Sequence, residues 1–400
     1  MLQSFSEIMN TALLITVILA AMAIGIALLL VILLAQRAWR QFRTRQFDAL
    51  TVKIHREWRA IVRGEIPANE WREDRLKCET VQAIVIQEIS AATDKDRAGL
   101  QQFLRTSGLL TRCIRRVRDS HGWHRRRAML ALGAMQIPEA IEPLAEGLYD
   151  WQLDTRMAAV QALGRTGLEH AAEPVIETHM LGRLKVPTDP VTNALVRCYQ
   201  SRPEAILPYL RRSAGKSRDL LARVASELAT PDMANEMVLL AGDPSPEVRA
   251  CAARGLAVAP LPMAIPALAN LVRDNVWFVR LRAVSALNQI PHPLTIPALL
   301  DAVRDSNRLC RSRAAAAVAK FEHETIDVLQ AVTEARNRYA LHSMISAIEL
   351  AGGFEKVLIK LADPAVHEDT AALILNALQQ GSAKMWTVRA AEPVVESLQS

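Results

Sequence analysis

Two kinds of hydrophobic pattern divide the chain. From Ile8 to Ala35 there is no charged residue in 28 positions, and the centre reads ALLITVILAAMAIGIALLLVILLA. At about 1.5 Å rise per residue, roughly 20 residues cross a hydrocarbon core, so the run predicts a transmembrane helix over 11–35 with room for tilt. Beyond it, apolar residues recur at three- and four-residue spacing in short blocks, as amphipathic helices require. EAIEPLAEGLYD is one block; LDTRMAAVQALG, with Met157, Val160 and Leu163 on one face, is the next. Asp154 is expected as N-cap of that second helix, and Gly164 with Gly167 at its chain reversal. Few stretches alternate apolar and polar, so helix is expected nearly throughout.

The blocks repeat. DPSPEVRACAARGLAVAP from Asp243, DNVWFVRLRAVSALNQIP from Asp274 and DSNRLCRSRAAAAVAKFE from Asp305 align without gaps, each start 31 residues after the last. An arginine follows each aspartate by six residues: Arg249, Arg280 and Arg311. The same pair occurs at Asp119/Arg125 and Asp150/Arg156, again 31 apart, and Pro143/Pro174 and Pro266/Pro297 keep the interval. From Asp150 to Asp243 is 93 residues, three periods, so two degenerate units are expected between, with Arg218 where one of them places its arginine. Such hairpins cannot bury their apolar faces alone and must stack on neighbours. Aspartate and arginine at fixed phase are then framework residues, a ladder along the turns in which each Arg reaches an Asp of its own or the adjacent unit.

These motifs carry a resemblance. The D-x5-R turn followed by A-x2-AL over about 111–320 resembles the HEAT-like repeats also found in phycobilin lyases. The apolar anchor followed by HREWRAIVRGEIP, the EDRL helix at 73–76, the FLRTSGL helix at 103–109 and WHRRRAMLALG resembles bacterial membrane-anchored HEAT-repeat proteins. Such proteins are often encoded beside membrane glycosyltransferases of exopolysaccharide systems, and the resemblance implies a partner of that kind. The expected fold is all-α: a single N-terminal transmembrane helix followed by a right-handed HEAT-like α-solenoid. The expected organisation is a tail at 1–10, the span at 11–35, a basic juxtamembrane helix at 36–65, a helical cap at 66–110, the solenoid at 111–380 and a C-terminal cap at 381–400. EIPANEW is expected as a bend, TDKDRAG as a loop, and Gly352 and Gly353 as a break in register.

Charge orients the span. No basic residue precedes it, whereas Arg37, Arg40, Arg43 and Arg45 follow at once; the positive-inside rule places that flank, and with it the solenoid, in the cytoplasm. A signal peptide has a basic start and an apolar stretch of only about 7–15 residues, so a retained anchor at the inner membrane is expected. Residues 36–63 carry eight basic and two acidic residues, +6, which equals the net charge of the chain. A second cluster, Arg112, Arg115, Arg116, Arg118, Arg125, Arg126 and Arg127 against Asp119 alone, is also +6, leaving −6 for the rest. It reads as a solvated edge or as a contact for anionic lipid or an acidic partner; nucleic acid is less favoured, since Trp123 is its one aromatic.

Catalytic spacing is sparse. Gly215-Lys216-Ser217 ends like a phosphate loop, but Leu210 stands where the first glycine belongs. His323-Glu324 and His367-Glu368 invite comparison with deoxyhypusine hydroxylase, a HEAT-repeat enzyme that binds two irons through His-Glu pairs, yet their phases differ. Five scattered cysteines without a CxxC pair read as buried reduced thiols. No catalytic residue, cofactor or metal is therefore expected, and no small-molecule substrate. The function expected is a non-catalytic scaffold for a protein partner. The alternatives are an enzyme of the bilin-lyase or metal-dependent hydroxylase type, or a binder of anionic lipid or nucleic acid through 112–127.

Overall fold

A computed structural model describes residues 22, 24–39, 41–42, 44–45, 48–53, 56, 60, 75–321, 324–352, 354–361 and 368–381. The expected tail at 1–10, the whole of the bend EIPANEW, Arg40, Arg43, His323, Gly353, His367 and residues 382–400 lie outside them, as do 11–21 and Ala23 of the expected span. Among the described residues no helix is long and apolar enough to cross a membrane. Backbone at 24–39 is helical, and along it Ile24, Ile26 and the run Leu28 to Leu34 stand 48–69% exposed.

The chain divides into two compact units, Met1–Ala140 and Ile141–Ser400. In the first, α1 (Arg75–Ala91), α2 (Asp94–Thr106), α3 (Leu109–Asp119) and α4 (Gly122–Ala134) close around Val81, Val85, Ile89, Leu104, Val117 and Leu132. Two expectations need correction here. TDKDRAG is not a loop but the start of α2: Thr93 Oγ1 donates to Asp96 Oδ2 at 2.6 Å, and polar residues suit a first turn, whose N–H groups lack intrahelical partners. FLRTSGL is not one helix: Gly108, with φ +73°, takes the left-handed conformation that only glycine adopts freely, and the chain breaks between α2 and α3.

The second unit is a row of hairpins. Its odd helices are α5 (Ile141–Glu146), α7 (Ala172–Met180), α9 (Leu207–Arg212), α11 (Ala234–Leu240), α13 (Leu261–Leu271), α15 (Ile296–Val303) and α17 (Thr325–Glu334). Its even helices are α6 (Leu153–Thr166), α8 (Thr188–Tyr199), α10 (Gly215–Glu227), α12 (Pro246–Gly255), α14 (Trp277–Leu287), α16 (Arg308–Val318) and α18 (Arg338–Leu350). Gly352, with φ +64°, follows, then α19 (Phe354–Leu361) and α20 (Glu368–Gly381). The hairpins α7/α8 and α9/α10 fill the interval between Asp150 and Asp243. Each even helix from α6 to α16 packs against the next even helix, forming one continuous layer. Alanine makes that layer possible: Ala159, Ala162, Ala194, Ala222, Ala225, Ala253, Ala283, Ala286, Ala314 and Ala317 are buried there, and small side chains let helix axes approach.

Gly164 belongs to this packing and not to the chain reversal. A Cβ at that position would lie 2.5 Å from Ala194 Cα on α8. Gly167 alone makes the reversal, at φ +64°. Nor is Asp154 the N-cap of α6; Gln152 occupies that place, and the Asp150 carboxylate accepts its N–H at 2.8 Å.

Candidate binding groove

The aspartates and arginines of the repeat meet at the hairpin turns. Arg249 donates from Nε and Nη2 to the two Asp274 oxygens at 2.6 and 2.9 Å, and Arg280 to those of Asp305 at 2.6 and 3.0 Å. Arg218 donates from Nε to Asp243 at 2.7 Å. Each arginine thus reaches the carboxylate of the following repeat. Nη1 of Arg249, Arg280 and Arg311 turns back to its own aspartate's carbonyl at 2.8–2.9 Å. The carboxylates of Asp243, Asp274 and Asp305 also accept the N–H two residues on, at 2.6–2.9 Å. Burial works against the charged form of Asp274 and Asp305, but the guanidinium and amide donors outweigh it and hold both carboxyls below the ordinary value. One aspartate therefore ties a turn together internally and, through Arg218, Arg249 or Arg280, to its neighbour, which makes these residues framework.

The open face of the even layer is different. A cavity of about 580 Å³ runs over α8, α10, α12 and α14, and a second of about 420 Å³, over α6 and α8, shares Asp189 and Asn193 with it. Helical spacing builds the walls: Asp219, Arg223 and Glu227 recur every four residues on α10, and Gln161 and Arg165 do so on α6. Each of five consecutive even helices contributes one arginine: Arg165, Arg197, Arg223, Arg254 and Arg282. Two are steered by carboxylates, Arg223 by Asp189 at 3.5 Å and Arg254 by Glu227 at 3.3 Å, while Asp219 accepts from Ser245 Oγ at 2.7 Å. Phe278 and Cys251 supply the apolar part of the larger cavity. It is a groove of polar handles on a rigid floor.

Residues 109–181 and 234–319 match the family of HEAT repeats. The chain contains HEAT repeats. No curated protein matches it. Among solved structures it is similar to human deoxyhypusine hydroxylase (20% identity, 67% of this chain and 96% of that one, TM-score 0.27). It is also similar to the CpcE–CpcF complex of phycocyanin lyase from Nostoc (20% identity, 55% and 92%, TM-score 0.25). A third similarity is to Kap95p in a complex with RanGDP (12% identity, 81% and 56%, TM-score 0.39).

The HEAT repeats place the other sequence candidates as follows. The basic cluster does not form one surface. Arg112 donates to Cys78 Sγ at 3.0 Å and Arg116 lies 3.7 Å from Glu79, both against α1, whereas Arg115, Arg118 and Arg127 are exposed, with Arg127 5.5 Å above the Trp123 ring. Arg125 and Arg126 are half-buried, and Asp119 is exposed. Arg37 and Arg45 are exposed on helical backbone. The Gly215-Lys216-Ser217 stretch is the first turn of α10, and its Ser217 Oγ lies 3.0 Å from His179 Nδ1. Among the described residues no group of three His, Cys, Asp or Glu side chains is placed to hold a metal ion. Cys113 and Cys198 are buried, and desolvation pushes both thiols up to about 12. The groove arginines were not singled out from sequence. Their one signal is a charged residue at four-residue spacing on the helix face away from the alanines, which any solvated helix also shows.

Proposed function

We propose that this chain is a membrane-tethered scaffold whose HEAT repeats bind a protein partner along the even-helix groove, without catalysis of its own. The carrying observation is the pair of adjoining cavities with one arginine from each of five consecutive helices. Repeat surfaces suit recognition of extended partners because successive units present equivalent positions at regular intervals. The tether is supported by the uncharged stretch Ile8–Ala35 and by the exposed aliphatic side chains of 24–34. Its basic flank supports a cytoplasmic position for the repeats. Tethering makes capture of a membrane partner nearly intramolecular. The resemblance to membrane-anchored HEAT-repeat proteins supports a glycosyltransferase of exopolysaccharide synthesis as that partner.

The test is affinity purification of the full chain from detergent-solubilised native membranes, beside an Arg223→Glu, Arg254→Glu, Arg282→Glu variant. The wild type should recover a stoichiometric membrane protein and the variant should lose it; equal recovery by both, or none by either, sinks the reading. A second reading, contact of anionic lipid with the α3–α4 hairpin, is favoured by exposed Arg115, Arg118 and Arg127 beside exposed Trp123. Charge reversal at those three arginines should then weaken retention on anionic vesicles.

A further inference from the structure

The turns at 149–153 and 180–187 are unlike those of the regular repeats. Where the turn after Asp243 reads Pro-Ser-Pro-Glu, the earlier pair presents Tyr149, Trp151, Leu153 and Leu181 at 61, 84, 45 and 63% exposure. Exposed single apolar residues are ordinary, but four large ones on two adjacent turns form a patch. It is held rigidly. Arg156 donates from Nη1 to the carbonyls of Asp150 and Trp151 at 2.8 and 3.0 Å, and from Nη2 to the Lys185 carbonyl at 3.0 Å. The Tyr149 hydroxyl meets Thr178 Oγ1 at 3.3 Å. One guanidinium thus clamps both turns with their apolar side chains outward. Charge completes the picture: Arg183 and Lys185 are exposed within the second turn, and Arg212 and Lys216 are exposed at the next one. Against the first two stand Asp150, whose carboxylate accepts the Gln152 N–H, and exposed Asp154.

We propose that this turn edge of the second unit is a membrane-contact surface that seats Tyr149, Trp151, Leu153 and Leu181 in the headgroup layer of an anionic bilayer. Tryptophan and tyrosine favour the interface, where the ring is buried and the polar atom stays wet, while lysine and arginine reach lipid phosphates. Lipid is the favoured occupant because the same chain exposes an aliphatic helix at 24–34, next to a polybasic flank. The inference rests on the tethered reading and adds a second, independent lipid contact within the repeats.

The full chain is reconstituted into nanodiscs with and without phosphatidylglycerol, and amide exchange at 149–153 and 180–187 is followed together with tryptic cleavage after Arg183 and Lys185. Both should slow by about tenfold or more in anionic discs relative to uncharged discs and detergent, as expected for backbone shielded from water. Trp151→Asp combined with Leu181→Asp should abolish the slowing while circular dichroism stays unchanged, both positions being exposed. Equal protection in detergent would mean that another part of the chain covers the patch. Protection only when a membrane extract is added would make it a protein surface; either result overturns the proposal. Extraction of the wild type from membranes by alkaline carbonate would sink the tether alone. Sedimentation with phosphatidylglycerol vesicles then still reads the patch, with wild type expected to pellet and the double variant to remain in solution.

Discussion

Repeats 243–320 and repeats 150–230 obey one blueprint with different strictness. In the later stretch Arg249 and Arg280 each grip a carboxylate with two bonds, and their turns carry the same set of donors and acceptors. In the earlier stretch Arg156 has no carboxylate at the equivalent distance, since Leu181 stands there; it donates instead to the Lys185 carbonyl on a longer turn. The arginine is retained while its partner is replaced by backbone. Freed from the aspartate, that turn takes up Leu181, Arg183 and Lys185, and the helix after it contributes Asp189 to both cavities. The regular repeats supply the frame and half the lining of the larger cavity, whereas the exposed apolar turn residues gather in the irregular ones.

The sharpest way to break this contrast is to delete an aspartate from the regular stretch. Asp274→Ala leaves Arg249, only 18% exposed, and the Val276 N–H without their acceptor. Removing one partner from a fully buried ion pair costs about 3–5 kcal/mol, so about 3 kcal/mol is expected here, read by urea unfolding of the detergent-solubilised chain. A loss below about 1 kcal/mol would show that the ladder is decoration. Next in size is Gly164→Ala in the irregular stretch. The new methyl meets Ala194 backbone at 2.5 Å, and because backbone cannot yield as a flexible side chain does, a cost of about 2 kcal/mol is expected from overpacking.

Protonation reaches the same aspartates more gently, since a carboxylic acid still fills its space. Asp274 and Asp305 have their carboxyl values lowered in the fold, so they bind protons less readily than in the unfolded chain. Their stabilisation is present above the unfolded value of about 3.9 and is lost as pH falls through the folded one. Acid unfolding below about pH 4 should be less steep in an Asp274→Asn, Asp305→Asn variant than in wild type. An identical slope would remove these two carboxyls from the account.

The frame was legible in the sequence because it is periodic: a 31-residue phase marks Asp243, Asp274 and Asp305 regardless of what lies on the surface. What escaped depends on which atoms meet in space. Gly164 reads as a turn glycine beside Gly167, and only the approach of α8 shows that it is a packing residue. Asp189 and Arg223 are 34 residues apart and look like two solvated charges until α8 and α10 lie side by side. Trp151 and Leu153 carry no signal in the sequence that marks them as exposed; only the structure shows the turn before α6 and its first residue leaving them outward. Thr93 and Asp96 read as loop because a polar first helical turn and a loop use the same residues.

The smallest effect is the most discriminating. Leu181→Asp restores an aspartate 25 residues after Arg156, the separation that joins Arg249 to Asp274 and Arg280 to Asp305. If sequence phase alone built the ladder, the substitution would add a charge-assisted pair and raise stability by roughly 1.5–3 kcal/mol. The structure argues otherwise. Arg156 is already satisfied by the Asp150, Trp151 and Lys185 carbonyls, Leu181 is 63% exposed, and the backbone from Gly182 to Lys185 follows its own course, with the Arg183 and Leu184 N–H groups both bonded to the Thr178 carbonyl at 3.0 and 3.1 Å. An exposed ion pair contributes about 0–1 kcal/mol, so the change in unfolding free energy should stay within about 0.5 kcal/mol. A gain above about 1.5 kcal/mol would mean that the irregular turns are merely eroded copies of the regular ones, and their exposed residues would lose their claim to a separate role.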